Sequence, residues 1–132
     1  MASTRLDQRD SLTLNLVTSI DDLDLSALST LMDSGWSADY VDEVRIDFSP
    51  EHLGHMMVGD DWFAVVVNDR DDQPIAFEIA MGRTLYCKGR PYRTFFVTAF
   101  TVSPNHRRQG LGRWVLEGIN EVAFEQRKAE LL

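Results

Sequence analysis

The sequence predicts an α/β domain: a mixed, mostly antiparallel central sheet flanked by helices, in the order β-α-α-β-β-β-α. Three observations carry this. Ile75, Phe77, Ile79 and Met81 alternate with Ala76, Glu78 and Ala80, the two-residue period of a strand. The run 62–67 is continuously apolar, as in a strand covered on both faces, and the polar turn 68–73 joins the two as a hairpin. Leu111, Val115, Ile119 and Val122 recur at helical spacing, with Gly118 allowing close approach to a sheet.

The remaining elements follow in order. Residues 1–10 are polar and aperiodic and read as a loosely ordered N-terminus, leaving 11–132 as one domain. Leu12, Leu14 and Leu16 alternate, which makes 11–17 the first strand. Ser19 followed by Ile20, Asp21 and Asp22 resembles a helix start, because acids there meet the positive end of the helix dipole. Leu25, Leu28 and Met32 continue that helix, and Gly35 is expected to stop it. Residues 37–48 read as a second, acidic helix, and Ser49-Pro50-Glu51 as another helix start with Pro50 where a missing N–H is harmless. The turn 88–91 leads into a last strand at 94–102, rich in aromatic and β-branched residues. Its continuation, 103–109, is a loop that opens onto the final helix.

Composition narrows the function. No stretch approaches the ~20 apolar residues of a membrane span, and the start lacks a secretory apolar core, so a cytoplasmic protein without membrane attachment is expected. Cys87 is the sole cysteine, which rules out an intrachain disulfide and a thiolate metal cluster. The net charge of −8 argues against nucleic acid as partner. That charge is unevenly spread: residues 1–82 hold 17 acidic and 4 basic side chains, whereas 83–132 hold 9 basic and 4 acidic. A polyanionic ligand would go to the cationic end.

There the segment Val102-Ser103-Pro104-Asn105-His106-Arg107-Arg108-Gln109-Gly110-Leu111-Gly112-Arg113 joins the last strand to the amphipathic helix. Glycines at 110 and 112 remove side chains that would block a close backbone approach, and unpaired N–H groups at a helix start point at an anion. Arg107, Arg108 and Arg113 add guanidinium forks suited to a diphosphate. A Walker loop would need Gly-Lys-Ser/Thr, which is absent, and a dinucleotide fingerprint would need a third glycine where Val115 stands. A solvated Arg-rich turn is the non-functional alternative.

Arg107-x-x-Gly110-x-Gly112, preceded by Val102-Ser103-Pro104 at a strand end, resembles the acyl-CoA signature of the GNAT superfamily of N-acyltransferases, and the order of elements over 11–130 is similar too. The resemblance implies an acetyl-CoA-dependent N-acetyltransferase working by direct attack of an amine, with acetyl-CoA or another acyl-CoA as co-substrate. It also implies that the backbone of Phe100, Thr101 and Val102 pairs with the pantetheine arm, and that Arg107, Arg108, Gln109, Gly110, Leu111, Gly112 and Arg113 hold the pyrophosphate. Members of this family continue past the final helix with further strands, so the C-terminal part of the fold is expected to be absent. The open edge at 94–102 should then be covered by a partner chain, by a swapped homodimer, or by the rest of a longer protein of which this is a segment.

Candidate catalytic groups are fewer. Family members often carry a glutamate on a central strand, but 94–102 contains no carboxylate; Glu78, between small Ala76 and Ala80, is the substitute base. Its plain alternative is a strand residue facing a helix or an ion pair. His52 and His55 lack further ligands, so no metal site is expected, and His106 reads as a loop residue near phosphate. Asp39, Asp42, Glu43 and Asp47 read as a solvated helix face, or as attraction for a cationic acceptor, a small-molecule or protein amine. A noncatalytic module that senses coenzyme A or dimerises is the competing function.

Overall fold

Apolar residues at strand spacing on both faces require two layers of cover, and the computed structural model, which describes residues 3–39 and 47–132, shows them. Five strands, β1 (Ser3–Arg9), β2 (Leu12–Val17), β3 (Trp62–Asn68), β4 (Pro74–Cys87) and β5 (Arg90–Val102), lie in sequence order, each antiparallel to the next. The one parallel pairing among the described residues is a single bridge between Thr94 and Leu131. Helices α1 (Leu25–Asp39) and α2 (Pro50–Met56) cover one face, and α3 (Leu111–Asn120), extended by a π turn at Glu121–Gln126, covers the other.

β3 shows the division of labour. Phe63, Val65 and Val67 join Trp114, Val115, Ile119 and Val122 of the α3 layer, whereas Trp62, Ala64 and Val66 join Leu28, Met32 and Leu53 on the α1–α2 side. A Cβ on Gly118 would stand 3.1 Å from Leu14 Cδ2 and from Val65 Cγ1, so α3 lies as close to the sheet as the glycine anticipates.

Three sequence expectations need correction. The first is the loose terminus expected at 1–10, within which Ser3–Arg9 form β1. Only Leu6 packs on the core, so no apolar alternation announces this strand; backbone pairing to β2 and side-chain contacts to α3 hold it instead. Trp114 Nε1 donates to Asp7 at 2.9 Å, and the Arg9 guanidinium lies 4.5 Å from the Trp114 ring centroid. Trp114→Phe, which keeps the buried ring but removes the indole N–H, is expected to speed amide exchange in β1 by roughly tenfold or more while exchange in β3 stays slow. Hydrogen-exchange mass spectrometry or NMR reads this directly.

The second correction is at α1. Ser19 caps a 3-10 turn, Ile20–Asp22, by accepting from Asp21 N–H, and α1 starts later, where Asp24 accepts from Ala27 N–H at 3.0 Å. The third is Gly35, expected as a stop, through which α1 runs on to Asp39. A Cβ there would sit 2.8 Å from Thr101 Cγ2, so this glycine serves the contact between α1 and β5. Most of the second acidic helix expected at 37–48 lies outside the described residues, as do Asp42 and Glu43. α2 begins as the sequence suggests, with Ser49 accepting from His52 N–H at 3.2 Å and Pro50 in the first turn.

Candidate active site

The strand that leads to the site changes phase on the way. Phe77 pairs with Thr101 and Ile79 with Thr98, so Ala99 and Phe100 together stand opposite Glu78. Ala99 has φ +61°, the left-handed region that a residue with a Cβ occupies at a cost. This is a β-bulge, and it inverts the facing of β5. Before it, Phe95 and Val97 point to the α3 layer; after it, a Cβ on Gly112 of α3 would meet Phe100 at 3.1 Å and Val102 at 3.7 Å, while Thr101 faces Gly35 on α1. The sequence reading did not find the bulge. The available signal was the shift of apolar parity from 95 and 97 to 100 and 102.

Beyond Val102, Ser103 N–H donates to Ile75 O at 2.8 Å, extending the ladder by one bond before a 3-10 turn at Pro104–His106. Arg108, at φ +63°, and Gly110, at φ +78°, turn the backbone sharply, and Gly110 is the N-cap of α3. Trp114 N–H closes the first helical bond to Gly110 O at 3.1 Å. The N–H groups of Leu111, Gly112 and Arg113 therefore lie in the first turn, where the helix supplies no acceptor. Their partial positive charge, together with the Arg108 side chain, faces an anion arriving at this end.

A cleft of about 380 Å³ opens here, between the C-terminal part of α1, the end of β5 and the start of α3. Of the ten residues that the sequence nominates for the cofactor, Phe100, Thr101, Val102, Arg107, Arg108, Gly110, Leu111 and Gly112 line it. Gln109 and Arg113 do not; Arg113 points to solvent and pairs with Glu117 at 2.9 Å. Gly35 and Trp36 complete the wall from α1, a contribution the sequence reading missed because it ended the helix at Gly35. Arg107 donates to Gly35 O at 3.0 Å and to Val102 O at 3.5 Å, so its guanidinium ties α1 to β5 while lining the cleft. His106 lines it too, and its Nδ1 is buried without a hydrogen-bond partner.

Glu78 is not among the lining residues. It is 4% exposed and lies on the α3 side of the sheet, between Ala76 and Ala80, both fully buried in that core. The space expected beside it is therefore filled by packing. Its Oε2 has no hydrogen-bond partner, and burial pushes the carboxyl up from 4.5 to about 7. Asp47 lies outside α1 and α2 and accepts from Ser49 N–H at 2.9 Å, which holds its carboxyl below the usual range. Among the described residues no group of His, Cys, Asp or Glu could hold a metal ion, and no helix is long and apolar enough to cross a membrane.

With this geometry in view, solved structures of similar fold were compared. A tetramutant of the BH1408 protein from Bacillus halodurans superposes with a TM-score of 0.65 at 16% identity, covering 89% of this chain and 78% of that one. A GNAT family acetyltransferase from Staphylococcus aureus gives 0.64 at 13% identity, covering 92% and 84%. An aminoglycoside acetyltransferase from an uncultured soil metagenomic sample, in complex with sisomicin, gives 0.61 at 16% identity, covering 92% and 74%. No curated protein matches by sequence. At these identities the structures speak for the fold alone, but the family model for the acetyltransferase (GNAT) family matches residues 26–132, and this chain belongs to that family.

Proposed function

We propose that the chain is an acetyl-CoA-dependent N-acetyltransferase in which an acceptor amine attacks directly. The carrying observation is the cleft itself: an unblocked helix N-terminus at Gly110–Gly112 beside the end of an edge strand. The fit can be judged from the residues. A Cβ at 112 would press on Phe100, the backbone at 110 takes a conformation that favours glycine, and cationic side chains stand at the rim. When bound, acetyl-CoA supplies an activated acyl group as a thioester.

In this reading the first-turn N–H groups of α3 and Arg108 hold the pyrophosphate, and Arg107 keeps α1 and β5 at the spacing the cleft needs. Among the described residues the outer edge of β5 is paired only near Arg93 and Thr94, where Glu130 and Leu131 N–H groups bond Arg93 O at 2.7 and 3.3 Å. The edge from there to Val102 would receive the amide-bearing pantetheine arm as an added strand; a homodimer partner is the alternative occupant. The bulge interrupts the ladder next to that edge, and a backbone N–H freed there would be a donor for a developing oxyanion. Glu78 is the proposed base. Its near-neutral ionisation suits the role, whereas its packing on the α3 side, away from the cleft, weighs against it.

One observation favours a second reading, a noncatalytic coenzyme A-binding module: no carboxylate is among the described residues that line the cleft. Calorimetric titration with acetyl-CoA, followed by an assay of thiol release with a panel of amines, separates the two. Saturable binding with turnover supports the enzyme; saturable binding without turnover on any amine supports the module; absence of binding by the folded chain removes both.

A further inference from the structure

On the α1–α2 side of the sheet, past the bulge, β4 and β5 carry facing pairs: Met81 with Phe96, Arg83 with Thr94, and Leu85 with Tyr92. Directly paired residues share a face, and alternate residues share it along each strand, so these six form one strip continuing from Phe77 and Ile79. Among the described residues the helical cover ends there. Phe96 is 59% exposed, and Leu85, two rungs further along the same face beyond the Arg83–Thr94 pair, is 49% exposed. Among the described residues two cations reach this surface: Arg90, which lies 4.5 Å from the Tyr92 ring centroid and pairs with Glu130, and Arg83. Arg83 folds back so that its Nη2 lies 3.9 Å from Met81 Sδ, and its Nη1 donates to Gly82 O at 2.7 Å. Among the described residues no carboxylate lies within ion-pair distance of it.

The strip sits on the same edge strand as the cleft. From Phe96 to the bulge at Ala99 is three residues, about 10 Å of strand. A molecule whose amine reaches the bulge would therefore lay its body over Phe96 and Met81 and meet the Arg83 guanidinium. We infer that the acceptor is an amine with an apolar body and a carboxylate, a hydrophobic amino acid or short peptide with both ends free, held by stacking on Phe96 and by a charge-assisted fork from Arg83. A polycation such as an aminoglycoside would find repulsion and few hydrogen-bond partners on this surface. The inference rests on the acetyltransferase reading above for the position of the amine.

The test reads acceptor binding apart from donor binding. Saturation-transfer NMR with phenylalanyl-phenylalanine, its C-terminal amide and sisomicin is run with and without saturating coenzyme A on wild type, Arg83→Ala and Phe96→Ala. The acid should bind, with Arg83→Ala weakening it by about tenfold or more while leaving the amide unchanged. Phe96→Ala should weaken acid and amide alike, and sisomicin should not bind. Equal binding of acid and amide to wild type, insensitivity of the acid to Arg83→Ala, preference for sisomicin, or binding of none of the three would each overturn the inference. Calorimetry with acetyl-CoA on the same samples shows whether the donor reading stands or falls independently.

Discussion

Gly110→Trp is expected to abolish detectable acetyl-CoA binding while leaving the chain folded. At φ +78° the new residue adopts a left-handed conformation, which costs on the order of 1–2 kcal/mol. No atom lies within 4 Å of the added Cβ, so the core is not disturbed, and because Gly110 lines the cleft the indole is expected to enter the space in front of the α3 N-terminus. There it covers the first-turn N–H groups that would meet the pyrophosphate. Calorimetry should show affinity falling at least a hundredfold, against a fall in melting temperature of only several degrees. Undiminished binding in a folded variant would mean that the anion does not sit on this helix.

The second large effect concerns Glu78 and has a definite sign. Because its folded pKa is raised to about 7 from 4.5, the native state holds a proton that the unfolded state has released across that interval. Stability from this group is thus fully present below pH 4.5, declines as pH rises towards 7, and is lost above it, by about 3 kcal/mol in all. Glu78→Gln carries no such titration. The variant should match or trail wild type near pH 4.5 and exceed it at pH 8, with the difference growing through the interval. Asp61, whose carboxyl is held below its ordinary 3.8 by the paired guanidinium of Arg93, contributes in the opposite sense and at lower pH, outside this window. Urea denaturation of both proteins at several pH values measures the difference; a constant offset would show that the carboxyl does not titrate there. If the variant also loses turnover while keeping acetyl-CoA affinity, Glu78 acts on the reaction as well.

What could be read from the letters depended on whether burial or backbone pairing decided the structure. β3 is legible because both its faces are covered, which forces an unbroken apolar run. α3 is legible because its apolar stripe meets a flat sheet, and the loop before it because glycine and arginine are placed where an anion would need them. β1 was invisible because it is a polar edge strand held by its neighbour's backbone and by one indole bond. Gly35 misled because close packing and helix termination both call for glycine, and local sequence does not separate them. Ala99 carried no glycine to mark its positive φ. For Glu78, small neighbours indicated room, whereas helix α3 had already filled it.

The bulge at Ala99 also makes β5 a strand written in two reading frames. Upstream, odd-numbered side chains belong to the α3 layer; downstream, even-numbered ones do. Deleting that single residue would restore a regular ladder with Phe100 opposite Glu78, and would leave Phe100 and Val102 under Gly112 and Thr101 on the α1 side. The cleft wall and the apolar strip thus keep their faces with or without the extra residue, and what the alanine adds is a local break in the ladder between them.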